Sequence, residues 1–326
     1  MEARLIRSMA DRPLLRPDHV ARNHIVQEKE FQELLRDRPW TGPVLVEITG
    51  ATPFWMYHEA DDKVSGIYFY YGRDSYESLS CILFGLLAAS TEAAVYDVGG
   101  HCGVYSLLAA SVGNAGVHYF DLMPDIIDRF GLNLAISGLE SRVKVNRVGV
   151  SSEAGEVEFN YNDLRMTTGA SLEFLAHRFS SPVARKGRAS VVTLDEYWAS
   201  NDRTPVGLVK MDVERHELSV LRGGAKFFAA NRPWVLVEVL SAQQFSELYE
   251  VFTGLGYECA YEVDDNAMEL QPVLADLRRE SGAAYEFKGY HNVLFAPHPL
   301  GPEILSTLAE RISASPNSNQ RIGPNP

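Results

Sequence analysis

Apolar runs and helix-spaced apolar positions alternate along the chain from residue 77 to residue 296. The pattern predicts helices over 77–89, 104–112, 125–137, 217–230 and 242–254. Between them it predicts strands over 93–98, 116–120, 143–148, 207–211 and 234–240, then 257–263 and 291–296. Pro124 and Gly138 bracket the third helix as start and stop signals. Strands that alternate with helices imply an α/β fold, a mostly parallel sheet covered by helices on both faces. No helical period fills 264–289, so the last two strands are expected as an antiparallel hairpin at one edge, giving about seven strands.

Upstream the rhythm differs. Residues 1–40 are charged and carry three prolines, with one helical stretch over 27–38. Strands are expected over 44–48, 54–58 and 67–71, the last two joined by a polar segment, 59–65. His58, Glu59, Asp61 and Asp62 read as a solvated turn, because they lack H-E-x-x-H or any other metal spacing. The aromatic cluster Tyr68, Phe69, Tyr70, Tyr71 and Tyr76 suits the core of a small β-unit, and also a pocket or a homodimer contact. A strand over 156–161 and a threonine-rich segment, 166–172, interrupt the α/β rhythm where insertions commonly shape an active site. The polar stretch 313–326 is expected to be disordered. Three parts follow: an N-terminal extension (1–76, a helix plus a small β-unit), a main α/β domain (77–300), and a C-terminal helix with its tail (301–326).

Composition narrows the function classes. The chain has 326 residues, 46% of them hydrophobic, enough for a sizeable core. A formal net charge of −13 argues against nucleic acid or an anionic membrane as partner. Cys81, Cys102 and Cys259 form no C-x-x-C pair, so a disulfide framework and a structural zinc site are not expected. They read as reduced thiols of a cytoplasmic protein, with Cys102 serving packing. Charges interrupt residues 1–22, so no signal peptide is expected there. The longest apolar run, near 81–89, is too short to span a bilayer.

Two stretches carry candidate chemistry. Asp97-Val98-Gly99-Gly100-His101-Cys102-Gly103 follows a strand and opens a helix. Its glycines allow a tight turn and close backbone approach, and the helix start offers N–H donors. It lacks the glycine spacing of a dinucleotide loop, since 101 is His and 104 is Val. An acid ahead of the first glycine repels a pyrophosphate and attracts a cationic amino group. Asp121 ends the next strand, where an acid binds the ribose hydroxyls of a nucleoside. The second stretch, Lys210-Met211-Asp212-Val213-Glu214-Arg215-His216-Glu217, puts acids and a histidine just past a strand.

These stretches, with Phe120–Pro124 and Val192-Thr193-Leu194-Asp195, resemble the FkbM-type family of S-adenosylmethionine-dependent methyltransferases over about 77–296. The resemblance implies a Rossmann-like class I methyltransferase domain with a seven-stranded sheet, and O-methylation of a hydroxyl on a sugar or secondary metabolite. The chain departs from the family pattern in three places. Gly100 and His101 replace Ala and Asn, Asp121-Leu122 replaces Glu-Pro, and Arg215 replaces Gly.

The expected roles follow. Asp97 accepts from the methionine ammonium or caps the loop. Glu77 offers a second acceptor or a helix N-terminal charge. Gly99, Gly100, His101 and Gly103 form the cofactor loop, and Asp121 and Leu122 meet the ribose and its surroundings. Gly149 and Val150, at the end of the third strand, hold the adenine. Asp212, Glu214 and His216 are the candidates for the base, with Asp212 also close to the methyl group. His101 is a secondary base candidate. Arg215, Glu217 and Glu238 are assigned to the small-molecule acceptor, though Glu217 and His216 also suit an ordinary helix start. Asp212 with neighbouring acids leaves room for Mg²⁺, but no spacing calls for a metal. Two other readings stay open: a nucleoside-cofactor oxidoreductase on the same sheet, and a methyltransferase-like binding module without catalysis.

Overall fold

Buried residues alternate along the strands and divide the core in two, one half on each face of a central sheet. The computed structural model describes residues 36–37, 39–59, 62–162, 184–273 and 291–317. The expected segment 166–172, Asp61, most of the helix over 27–38, and 318–326 lie outside the described residues.

The central sheet has eight strands, one more than expected. Five are parallel: β5 (Val143–Asn146), β4 (Val117–Phe120), β3 (Ala94–Val98), β9 (Val206–Met211) and β10 (Trp234–Val239). Beyond β10 come β13 (His291–Ala296), β11 (Cys259–Asp264) and β12 (Glu269–Val273), each antiparallel to its neighbour. The predicted edge hairpin is therefore present, with β12 added outside it. That strand was not visible in the pattern because it is a largely exposed edge with a proline, Pro272, and gives no apolar alternation. This order is the mostly parallel α/β sheet that the pattern predicts, with an antiparallel section on one side.

One face of the sheet, through Val95, Leu208, Leu236 and Leu294, packs on α2 (Ser78–Ala89), α3 (Val104–Val112) and α4 (Pro124–Ser137). The other, through Tyr96, Val209 and Val235, packs on α5 (Leu194–Ser200), α6 (Glu217–Gly223), α7 (Ala225–Asn231) and α8 (Ala242–Gly254). Helix α2 is buried along nearly its whole length, because α3 and α9 (Pro302–Ala314) flank it as well as the sheet. Among the described residues no helix is long and apolar enough to cross a membrane.

Upstream, β1 (Gly42–Val46) and β2 (Phe54–His58) form an antiparallel hairpin. It lies on α4: the Tyr57 N–H donates to Asn133 Oδ1 (2.7 Å), and the Trp55 N–H donates to Ser137 Oγ (3.0 Å). Val44, Val46, Phe54 and Met56 join the same core as Ile127 and Phe130.

Several expectations are corrected. Residues 67–71 are not a strand but the second half of helix α1 (Lys63–Tyr71). Their aromatic run favours a strand locally, but Asp62 caps the helix by accepting from the Val64 N–H (3.0 Å), and Gly72 ends it at φ +85°. The supposed solvated turn is not solvated at its ends, since His58 and Asp62 are fully buried. Ser65 Oγ ties them together, donating to Asp62 Oδ2 (2.5 Å) and lying 2.9 Å from His58 Nδ1. The helix expected over 217–230 breaks at Gly224 into α6 and α7. There a Cβ on Gly223 would strike the carbonyl of Ser151, and one on Gly224 would crowd Phe228. The strand expected over 143–148 stops at Asn146. Gly149–Val150 forms β6, which pairs with β8 (Ala184–Val192) in a separate small sheet with β7 (Gly155–Asn162). The first part of the expected disordered tail is packed: Ser315 is buried, and Asn317 Nδ2 donates to the Asp74 carbonyl (2.5 Å) and Ser78 Oγ (2.9 Å).

Candidate active site

Parallel pairing aligns the carboxyl ends of three strands. Val98 is in register with Phe120 on one side and Met211 on the other. Gly99, Asp121 and Asp212 therefore leave the sheet side by side, where open α/β sheets bind ligands.

The loop after β3 is built by its backbone. The N–H groups of Gly99 and Gly100 both donate to the Phe120 carbonyl (3.0 Å each). Gly99 has φ +79°, and a Cβ there would run into the carbonyl of Asp212. Gly103, at φ +86°, immediately precedes α3, and a Cβ there would enter the ring of Phe130. Both positions demand glycine. His101 lies between them at φ +48°.

Asp121 is held by two backbone donors: the His101 N–H to Oδ2 (3.0 Å) and the Met123 N–H to Oδ1 (2.9 Å). Burial raises its pKa, against the pull of these N–H groups and the His101 ring. Both ring nitrogens of His101 are buried without a hydrogen-bond partner among the described residues. Leu122 lies beside Gly149. Gly149 and Val150 do not end the third strand, as the sequence suggested. They reach this neighbourhood through β6, by pairing with Val191 and Val192.

Asp97 is almost fully buried. Its Oδ2 accepts from both the N–H (3.0 Å) and the hydroxyl (2.7 Å) of Ser106, in the first turn of α3. It therefore caps the helix that Gly103, with no side chain, cannot cap. Burial pushes its pKa up to about 6, with Ser106 and Lys210 opposing.

Lys210 was not singled out from the sequence, although a lysine closing an apolar strand is a signal. It is 1% exposed. Its Nζ donates to Asn292 Oδ1 (3.2 Å), lies 3.6 Å from Asp212 Oδ2, and sits 5.1 Å from the centre of the Tyr105 ring. Burial works against its charge, but Asp212, Glu77, Glu238 and Asp97 together raise its pKa. Asn292 Nδ2 donates on to Glu77 Oε2 (3.2 Å) and Ser80 Oγ (3.0 Å), and the Tyr105 hydroxyl donates to the same Glu77 oxygen (2.5 Å). Asp265 closes the network, accepting from the Ser80 N–H and hydroxyl (2.8 Å each). Its pKa is pushed up to about 7 by burial and then by Glu77. Glu238 is raised well above the usual carboxylate range by burial, then by Asp212 and Glu214. Tyr76 also faces this ring: burial raises its pKa first, then Glu77 and Asp212. Tyr76, Tyr105, Asn292 and Asp265 come from four separate segments, which no local spacing could have joined.

Beyond Asp212 the chain turns through two left-handed residues, Glu214 (φ +53°) and Arg215 (φ +74°). The glycine that the resemblance expects at 215 suits this conformation; arginine holds it under strain. Arg215 Nε is buried without a hydrogen-bond partner among the described residues. Glu217 is enclosed beneath the turn. Its Oε1 accepts from the Val213 N–H (3.1 Å) and its Oε2 from Gln244 Nε2 (2.8 Å). Burial pushes its pKa up to about 7. His216 turns toward β6, with Nε2 2.9 Å from Ser151 Oγ, and burial lowers its pKa. The structure thus brings Asp97, Asp212, Glu238 and Glu77 around Lys210, with Glu214 near Glu238, and turns His216 and Glu217 to partners of their own. Among the described residues no three His, Cys, Asp or Glu side chains gather as a metal-holding group.

A model of the methyltransferase FkbM domain matches residues 97–259, half of the chain. The chain belongs to the FkbM methyltransferase family. It resembles a hexuronic acid methyltransferase, AglP, of Haloferax volcanii, with 28% identity over 137 residues. That match covers 41% of this chain and 51% of the relative, so the chain spans about half the length of the curated relative it matches. Among solved structures, it is similar to a methyltransferase FkbM from Methylobacillus flagellatus: 12% identity, TM-score 0.38, covering 63% of this chain and 43% of that one. An O-methyltransferase from Thermotoga maritima gives 12% identity and TM-score 0.34, over 68% and 66% of the two chains. The matched FkbM region begins at Asp97 and contains the glycine loop, Asp121 and the turn from Asp212 to Glu217.

Proposed function

We propose that this FkbM-family protein uses S-adenosylmethionine to methylate a hydroxyl oxygen on a sugar or related small metabolite. The observation that carries the reading is Asp121, clamped by two backbone N–H groups beside a loop whose glycines have no room for side chains. The residues present fit an S-adenosyl group. The unpartnered ring nitrogens of His101 adjoin Asp121, where ribose hydroxyls offer donors and acceptors. Leu122, Gly149 and Val150 supply an apolar wall for a base. Asp97 and Glu77 supply acceptors for an ammonium. When bound, the cofactor supplies a methyl group on a sulfonium, an electrophile toward an oxygen nucleophile.

On the acceptor side, Asp212 is the proposed base. It stands past the end of β9 with its side chain 28% exposed, whereas Asp97 is 1% and Glu214 9% exposed. It takes the hydroxyl proton as the oxygen becomes nucleophilic. Glu214, Glu238 and Arg215 surround the acceptor. Glu217 fixes the turn from below, and His216 is a poorer base candidate because Ser151 already engages it. Similarity to the hexuronic acid methyltransferase AglP supports a sugar-type acceptor.

The test is transfer of labelled methyl from S-adenosylmethionine to a panel of sugars, sugar acids and hydroxylated aglycones. Base-stable methyl-ether product, lost in Asp212→Asn, is expected. Label on nitrogen or carbon, or undiminished turnover by Asp212→Asn, contradicts the reading. Cofactor binding with no turnover on any acceptor favours the binding-module alternative.

A further inference from the structure

Lys210 is a charged group in a place that ordinarily excludes one. A buried ammonium is tolerated only where paired charges and hydrogen bonds offset its lost hydration. Here the partners come from every element packed around it. β3 contributes Asp97, the segment after β9 contributes Asp212, and β10 contributes Glu238. Glu77 faces it from the start of α2, Tyr105 from α3, and β13 supplies the neutral Asn292. Asp97 also has Cys102 and Tyr119 nearby, both held neutral by burial. Glu214 adds its charge to the ring at Glu238. Among the described residues, Lys210 is the cation that faces this ring at its centre.

Asn292 sets where that cation sits. Its Oδ1 accepts from Lys210, while its amide donates to Glu77 and Ser80, so it cannot turn over without breaking all three bonds. Ser80 is itself fixed by Asp265 from the β11–β12 turn.

We propose that Lys210 is a positioning residue: a buried cation, anchored on Asn292, that holds Asp212 in place at the carboxyl end of β9 and offsets the acids that converge on it. This rests on the reading of the site as the cofactor and acceptor centre. In the mechanism Lys210 acts through Asp97 and Asp212 and touches neither the cofactor nor the acceptor.

The experiment uses the full chain with S-adenosylhomocysteine as probe, titrated by calorimetry across pH. Wild-type affinity is expected to fall as pH drops through about 6, where Asp97 gains a proton. Lys210→Met moves that loss to higher pH. Its affinity at neutral pH falls about tenfold or more, and recovers to within about threefold of wild type at pH about 9. Lys210→Arg, which keeps the charge, returns the profile toward wild type. A uniform loss at all pH values marks a packing role and overturns the proposal, as does an unchanged profile.

If Lys210→Met does not fold, Asn292→Leu frees the ammonium from its anchor, and the same direction of change is expected. A second readout needs no ligand. Carboxyls with raised folded pKa values stabilise the fold at low pH and lose that contribution as pH rises. The melting temperature of Lys210→Met should therefore fall more steeply than wild type between pH about 5 and 8. Equal slopes overturn the proposal. Failure of wild type to bind S-adenosylhomocysteine overturns the cofactor reading instead, and the melting slopes still decide the role of Lys210.

Discussion

Arg215 shows how a single residue can be read twice. In sequence it is a cation where the family keeps glycine. In the structure the same position has φ +74°, so the family's glycine has a conformational reason. Arg215→Gly should relieve strain and raise stability by about 1 kcal/mol in chemical denaturation. If acceptor turnover falls at the same time, the guanidinium was kept for the acceptor; if it rises, the strain was incidental. Glu217 is a second such case. Its folded pKa, about 7, lies above the ordinary carboxylate range, so its stabilising contribution is present at low pH. That contribution is lost as pH rises through about 7. Glu217→Gln should flatten the dependence of stability on pH between about 4.5 and 7. A slope equal to wild type would show that the carboxyl is not buried as described.

At the scale of elements, the parallel core was legible because its strands are apolar runs and its helices keep a helical apolar spacing, one of them bracketed by Pro124 and Gly138. The glycine loop was legible for the same reason: a strand, a glycine turn and a helix follow each other without interruption. Helix α1 was not legible. Its aromatic residues mimic a strand, and only burial of Asp62 as a cap decides the matter. Strand β12 was missed because an exposed edge carries no apolar period. Gly103→Ala tests the loop itself. The left-handed φ and the Phe130 ring leave no space for a methyl group, so a loss of about 2 kcal/mol or more is expected. Calorimetric melting checks it; a change under about 0.5 kcal/mol would mean that the loop relaxes freely.

For the molecule as a whole, the site is assembled at one end of the sheet, with the upstream hairpin packed on α4 beside the glycine loop. Asn133 makes this link concrete. Its Oδ1 accepts from the Tyr57 N–H of β2, and its Nδ2 donates to the Cys102 carbonyl in the loop (2.9 Å). The sequence placed the carboxylates at strand ends correctly but left the buried lysine without a role, because the groups that neutralise it arrive from α2, α3, β10 and β13. A cleft of about 500 Å³ near Gly207, Arg232 and Trp234 lies at the opposite, amino ends of the strands, away from these groups.

The central claim is that the carboxyl ends of β3, β4 and β9 form an S-adenosyl site anchored on Asp121. Calorimetry of the wild-type chain with S-adenosylhomocysteine, with NAD, and of Asp121→Ala with S-adenosylhomocysteine tests it directly. One-to-one binding of S-adenosylhomocysteine is expected, no heat with NAD, and at least about tenfold weaker binding by Asp121→Ala, the loss of charge-assisted hydrogen bonds to the ribose. Binding of NAD in preference, no binding of S-adenosylhomocysteine, or an Asp121→Ala affinity equal to wild type would contradict it.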